Sequence, residues 1–419
     1  MKTPAKLATV LAAALLATAC AQGSATNPGA GADGKVTVRY FTFSAAPDHV
    51  QDLDKIVTAF ERQNPAIDVV VETAPFDQYF TKLQTSIAGG TAPDTFELNY
   101  ENFVTYAAAG SLLDLAASGA ATDAALYAPE SLNAFKHEGR QYALPASFST
   151  VVLLYNKDLF EKAGVPVPTA EWTWADEKAA AEKLTDKDAG VYGDFQPVQF
   201  FEFYKTLKQA GGEFLGADGK AAFDSPQGVK AAEWLVSKVG TTMPTEAEIG
   251  GTADYDTNLF KSGKLAMWHN GIWQFAGLAD VPFEWDVVVE PGDSQKASAV
   301  FHNAVAASAA TGHAKEAYAW AKFLSSSRVA AETRIASSWE LPPVADQALL
   351  DGYLKDPVPA GRRAVFDSLE SIALPPVIQR QQEMQDAVTE ELTNAAAGRK
   401  PVAEALKAAS AKVNELLGG

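Results

Sequence analysis

Cysteine is nearly absent: the chain of 419 residues holds one, Cys20. A lone cysteine makes no intramolecular disulfide and no cysteine zinc cluster, so neither can staple the fold. Basic charge is short as well. Lys and Arg number 34 against 52 Asp and Glu, a formal net charge of −18. Nucleic acid and anionic lipid are bound through Lys/Arg-rich surface, so this balance argues against both as partners. After Cys20 no run is long and apolar enough to span a bilayer. The chain has no Gly-x-Ser-x-Gly nucleophile elbow, no Gly-x-x-x-x-Gly-Lys-Ser/Thr phosphate loop and no His-Glu-x-x-His metal helix. Neither a repeat of solenoid period nor a set of residues calling for a cofactor or metal is visible. What is present suits a folded body: 47% hydrophobic and 21% charged residues, in a length that accommodates two domains.

The N-terminus opens with Lys2 and Lys6, runs apolar from Leu7, and ends in Leu16-Ala17-Thr18-Ala19 before Cys20. Basic flank, short apolar run and small residues describe a signal peptide. Small residues directly before a lone cysteine resemble a bacterial lipobox; the alternative is a plain secretory signal. The lipobox implies removal of 1–19 and a Cys20 that carries diacylglycerol and palmitate, more than the single chain that anchors only weakly. Residues 20–35, without a large apolar side chain, have the composition of a flexible tether.

Val36 to Phe43 alternates and reads as a strand. Val50, Leu53, Ile56, Val57 and Phe60 share one helical face, and Asn64-Pro65 ends that helix. Strand, helix, strand and helix follow over 67–71, 77–88, 94–98 and 103–109, an alternation that predicts an α/β domain with a largely parallel sheet. After Tyr142 the pattern changes. Strands are expected at 147–155, 266–268, 285–290 and 301–308. Helices are expected near 175–185, 198–210, 225–239, 255–262, 314–325, 376–396 and 401–417.

The stretch from Pro145 to Lys162, with Tyr155-Asn156-Lys157-Asp158-Leu159-Phe160 at its heart, resembles the signature of the family 1 extracellular solute-binding proteins. Gly90 to Asp94 with Glu97, Ala163 to Pro166 with Trp172 and Trp174, Phe260 to Met267, and Asn270 to Trp273 resemble that family in the same order. These are the sugar-binding components of ABC importers. The resemblance implies a two-lobed, type II-like periplasmic-binding-protein fold with interleaved lobes and a hinge. Lobe one would hold 36–145 and 298–340; lobe two would hold 146–297 and 341–419. It further implies a monomeric, lipid-anchored receptor on the outer face of the cell membrane. Such a receptor captures a mono- or oligosaccharide and passes it to permease subunits without altering it.

A sugar presents hydroxyls and apolar C–H faces, so a receptor needs planar polar side chains and aromatic platforms on loops at the strand ends. That filter selects Phe43 and Ser44; Asp77 and Tyr79 beside Phe76 at a helix start; and Glu97, Asn99 and Glu101 after a strand. It also selects Ser147, Phe148 and Ser149; Asn270, Gly271 and Trp273; His302 and Asn303; and Trp339 with Glu340. Phe195, Gln199 and Phe200 are weaker candidates for the wall of lobe two. Trp172 and Trp174 read as structural, and His269 as a hydrogen-bonding core or cleft residue. Two other functions remain open at this point. The same fold takes polyamines, osmolytes or iron in other proteins, and Glu97 with Glu101 is the carboxylate pair a surface glycosidase would need. A glycosidase requires its acids on opposite sides of the scissile bond, which sequence adjacency does not supply.

Overall fold

A computed structural model of the chain describes residues 34–118, 122–127, 129–252, 254–343 and 347–418. Cys20, the signal segment 1–19 and most of the tether lie outside the described residues.

The first third is built from β1 (Val36–Thr42), α1 (Pro47–Gln63), β2 (Ile67–Thr73), α2 (Phe76–Ala88), β3 (Thr95–Asn99) and α3 (Tyr100–Ala108). A short helix α4 (Pro129–Asn133) and the hairpin β4 (Lys136–His137) and β5 (Arg140–Gln141) lead into the long strand β6 (Ala143–Asn156). Then follow α5 (Lys157–Ala163), α6 (Trp174–Leu184), α7 (Phe200–Gln209), α8 (Pro226–Lys238), α9 (Glu246–Ile249), α10 (Tyr255–Lys261), β7 (Met267–Gly271) and β8 (Trp285–Val288). The chain returns along β9 (Ser298–Ala307) into α11 (Ala314–Ser326) and α12 (Arg328–Ser337). It finishes with α13 (Gln347–Tyr353), α14 (Ala364–Asp367), β10 (Ile372–Ala373), α15 (Gln381–Ala396) and α16 (Val402–Leu417).

Local chemistry sets these ends. Pro47 enters α1 where a missing N–H costs nothing. Thr173 and Asp176 form a reciprocal capping box at α6. Gly164 closes α5 in the left-handed region that a side chain resists.

The sheet order is β2-β1-β3-β9-β6-β7, with β10 on β9 and β8 on β6. The expected parallel arrangement holds for β2-β1-β3. It ends there. β9 runs antiparallel to β3 and to β6, and β7 and β8 run antiparallel to β6. The reason is that β6 and β9 are crossing strands that travel in opposite senses. The near half of β6 pairs with β9, and its far half with β7 and β8. A register shift between Pro145 and Ser147 absorbs a proline inside this central strand.

The core follows the same division. Leu144, Ala146, Val305, Trp320 and Trp339 pack with β1, β2 and α1. Phe96, Phe103, Ala143 and Ala304 pack with α2 and α3. Beyond the crossing, Val151 and Ala299 pack with α7, α8, α15 and α16. Val152, Leu154, Leu341 and Val365 form a further cluster with Trp268 and Trp285. Leu153 and Phe160 pack against α6. The result is a two-lobed α/β protein with a curled sheet shared between the lobes. No helix among the described residues is long and apolar enough to cross a membrane.

Candidate functional site: a cleft between the lobes

A cavity of about 350 Å³ opens where β6 and β9 pass from one lobe to the other. The strand period of two decides which residues face it. Ser149 and Val151 of β6 line it, as do Phe301 and Asn303 of β9. Ser149 stands opposite Phe301, and Asn303 opposite Asn99 of β3. Phe43, Ser44, His49 and Phe76 come from the strand ends and helix starts of the first lobe. Pro197, Gln199, Phe201, Glu202, Asp256, His269, Asn270 and Trp273 come from the second. Trp339 and Glu340 close the lining after α12.

Five aromatic rings form a continuous arc across it. Phe43 meets Phe76 at 5.3 Å, Phe76 meets Phe201 at 5.9 Å, Phe201 meets Phe301 at 5.6 Å, and Phe301 meets Trp273 at 5.7 Å. All four contacts are edge-on, the arrangement aromatic quadrupoles prefer. Trp273 packs against the core on both sides of the cleft. Gly271 makes room for it: a Cβ there would lie 1.9 Å from the indole. The His49 ring, stacked 4.8 Å from Trp339, also bonds the Trp273 backbone. Burial pushes His49 below the ordinary histidine range.

The polar groups are held in place from behind. Asn99 donates to Glu101 at 2.5 Å and accepts from Asn102 at 2.9 Å. Asp256 accepts from the Trp268 indole at 3.1 Å and from Asn270 at 3.4 Å. Glu340 accepts from Asn303 at 3.0 Å and from Arg334 at 3.2 Å. Oε2 of Glu202 takes Lys205 at 2.6 Å and Gln196 at 2.8 Å.

Below Glu202 lies a buried ion network. Lys205 also pairs with Glu290 at 2.5 Å, and Lys238 with Glu177 at 2.6 Å and Asp194 at 2.5 Å. His269 joins the two halves, bonding Glu290 through Nδ1 at 2.7 Å and Glu177 through Nε2 at 3.0 Å. Burial pulls the imidazole pKa down, but Glu177 and Asp194 outweigh it and hold it at about 9. Two triplets here, Glu177-Asp194-His269 and Glu202-His269-Glu290, have ligand atoms within 4.8 Å of one another, close enough for a metal. Lysine ammonium groups already occupy the carboxylates, and a protonated imidazole has no lone pair to offer. The arrangement fits an ion-pair network better than a metal cage.

Of the residues selected from sequence, Phe43, Ser44, Phe76, Asn99, Ser149, Gln199, Asn270, Trp273, Asn303, Trp339 and Glu340 are brought together here. Gly271 stands behind Trp273. The others lie elsewhere. Asp77 is exposed on the first turn of α2. Tyr79 is in the core, donating to the Phe41 and Glu97 carbonyls at 3.1 Å and 2.7 Å. Glu97 is buried against Thr42, and Glu101 against Asn99. Burial raises both acids to about 7. Ser147 lies one pleat away, bonded by Asn303 at 3.4 Å. Phe148 and His302 sit at the alternate positions of their strands and turn to the opposite face, rings 6.3 Å apart. Sequence reasoning passed over His49, Val151, Pro197, Phe201, Glu202, Asp256 and Phe301. Phe301 was within reach, because the residue sharing a face with Asn303 is two positions away, not one. Glu202 and Asp256 carry no such signal, each reading as an ordinary acid on a helix.

A family model described as bacterial extracellular solute-binding protein matches residues 46–331. A binding protein of Brucella abortus is 31% identical over 222 residues, 51% of this chain and 53% of that one. The chain thus spans about half the length of such curated relatives. A maltooligosaccharide ABC transporter solute-binding lipoprotein of Streptococcus pneumoniae is 26% identical over 301 residues, 70% of this chain and 68% of that one. Among solved structures, an ABC substrate-binding protein from Listeria monocytogenes in complex with cycloalternan superposes with a TM-score of 0.87 at 42% identity, covering 92% of this chain and 99% of that one.

Proposed function

The chain belongs to the bacterial extracellular solute-binding protein family, and within it we propose that this protein captures a carbohydrate between its lobes for an ABC importer. One observation carries the reading: an aromatic arc and a set of carboxamides and carboxylates line one cleft. Rings stack on the C–H face of a pyranose, and planar polar groups bond its hydroxyls in pairs. The relatives that bind a maltooligosaccharide and cycloalternan support the same class of ligand. The residues assigned to contact are those lining the cavity, with Trp273 as the principal platform and Asn99, Glu202, Asp256, Asn270 and Glu340 as hydroxyl partners.

The lobe bounds 36–145 with 298–340 and 146–297 with 341–419 accord with a core that divides within β6, within β9 and between Trp339 and Leu341. Closure of the lobes over the sugar, by hinge motion at these crossings, buries it. Cys20 serves as the lipid anchor outside the cell membrane, and the closed, monomeric receptor delivers its sugar unaltered to permease subunits. The lipoprotein relative supports the anchor.

Calorimetry against a panel of neutral sugars, cycloalternan and maltotriose among them, tests the ligand class. Binding without shortened products is expected. Binding to a peptide or polyamine in place of every sugar overturns the reading. For the anchor, Cys20→Ser is expected to release the protein into the medium.

A further inference from the structure

The lining of the cleft is one-sided in charge. Among the described residues that form it there is no Lys and no Arg, whereas Glu202, Asp256 and Glu340 are all carboxylates. One lining group is a held cation, His269, but both its ring nitrogens are spent on Glu290 and Glu177. It offers a ligand the ring and no donor.

The same excess of acid continues behind the surface. In the first lobe Arg334 alone faces both Glu340 and Glu97. In the second, Lys205, Lys238 and His269 are opposed by Glu177, Asp194 and Glu290 together with Glu202. Asp256 is held by Trp268 and Asn270, both neutral donors. Sites built for carboxylate or phosphate show the reverse, with Arg or Lys aimed at the anion.

We infer, on the strength of the sugar reading above, that the cleft sorts its ligands by charge, accepting neutral and amine-bearing sugars and rejecting uronates and sugar phosphates. Asp256 and Glu202, both lining the wall of the second lobe, are the discriminating residues. An anionic substituent there meets like charge in a partly desolvated site, with no free cation to answer it. An ammonium meets a ready counter-charge. Burial already pushes Asp256 and Glu340 above the ordinary carboxylate range, so the site resists negative charge even before a ligand arrives.

The test starts from the panel sugar that binds, cycloalternan first, and two derivatives of it that carry a carboxylate or an amine at the same C6. The two substituents are close in size, so a difference between them reads charge. Calorimetry is expected to find the amine form within a few-fold of the parent. The carboxylate form should be weaker by about tenfold or more. High salt and Asp256→Asn should each narrow that gap. Equal affinity of the two derivatives, with the parent still bound, overturns the inference and leaves the sugar reading standing. Failure of every neutral sugar overturns the sugar reading and this inference with it.

Discussion

Phe76 at the start of α2 and Phe201 in the first turn of α7 meet across the cleft, ring centroids 5.9 Å apart at 61°. One ring belongs to each lobe, so this edge-on contact exists only while the lobes are near. It also forms the middle link of the aromatic arc. Phe201→Ala removes a ring contact on each side, to Phe76 and to Phe301. The expected result is a sugar affinity lower by about tenfold, with the melting temperature of the free protein changed little. Calorimetry and a thermal scan check both, and unchanged affinity would remove Phe201 from the ligand platform.

Gly271→Ala tests the placement of Trp273. The added methyl collides with the far end of the indole, not with backbone. The ring should swing aside at modest cost in stability and weaken binding about as much as Trp273→Ala does. Gly352→Ala, where a Cβ meets nothing within 4 Å, is the control and should leave affinity intact. Tryptophan fluorescence on titration with ligand reports the same event: its change on binding should shrink in Gly271→Ala.

Lys205 has no exposed side-chain surface and pairs with Glu202 and Glu290. Lys205→Met leaves those acids buried without their cation and should cost about 3–5 kcal/mol in urea unfolding. Lys230, more than half exposed, pairs with Asp293 at 2.5 Å. Its replacement by Met should cost about 1 kcal/mol or less. Equal costs at the two sites would contradict the network described here.

Two kinds of buried group lose their contribution to stability as pH rises, each in its own window. Glu101 is raised by burial to about 7. The native state therefore holds a proton that the unfolded chain releases, and stability contributed by the neutral acid falls as pH rises from about 4.5 to about 7. Glu101→Gln should match the parent near pH 5 and exceed it near pH 8 by about 2–3 kcal/mol. His269, held at about 9, contributes fully below the ordinary histidine pKa and loses its contribution as pH climbs through about 9. Urea unfolding across this range checks both, and a Glu101→Gln difference that does not grow with pH refutes the first.

Most elements were legible because their periods are strong. Leu53, Ile56 and Phe60 mark α1, and Val36 to Thr42 marks β1. The direction of β9 and of the strands beside β6 was not legible, because antiparallel pairing across lobes is set by where the chain re-enters, not by local pattern. The short hairpin at 136–141 and the helix α12 were passed over; α12 has a weakly amphipathic sequence and its buried face includes Arg334. At the site, strand ends and aromatic residues near glycine were readable, as Trp273 and Asn99 show. Helix-borne contacts such as Phe201 and Asp256 depend on how α7 packs against β9 and α10 against β7, and that information is tertiary.

The two strands shared by both lobes also bear on the order in which the protein comes into being. β3 finds its neighbour in β9, about two hundred residues later, and Trp320 and Trp339 complete the core of the first lobe. The second lobe waits longer still, since α8 and α7 are covered by α15 and α16 at the end of the chain. Neither core can therefore finish before the C-terminal part of the chain has been made. Contacts this distant in sequence are slow to form, so both lobes should complete late and together. The interleaving of the lobes thus ties the completion of both to the last helices of the chain.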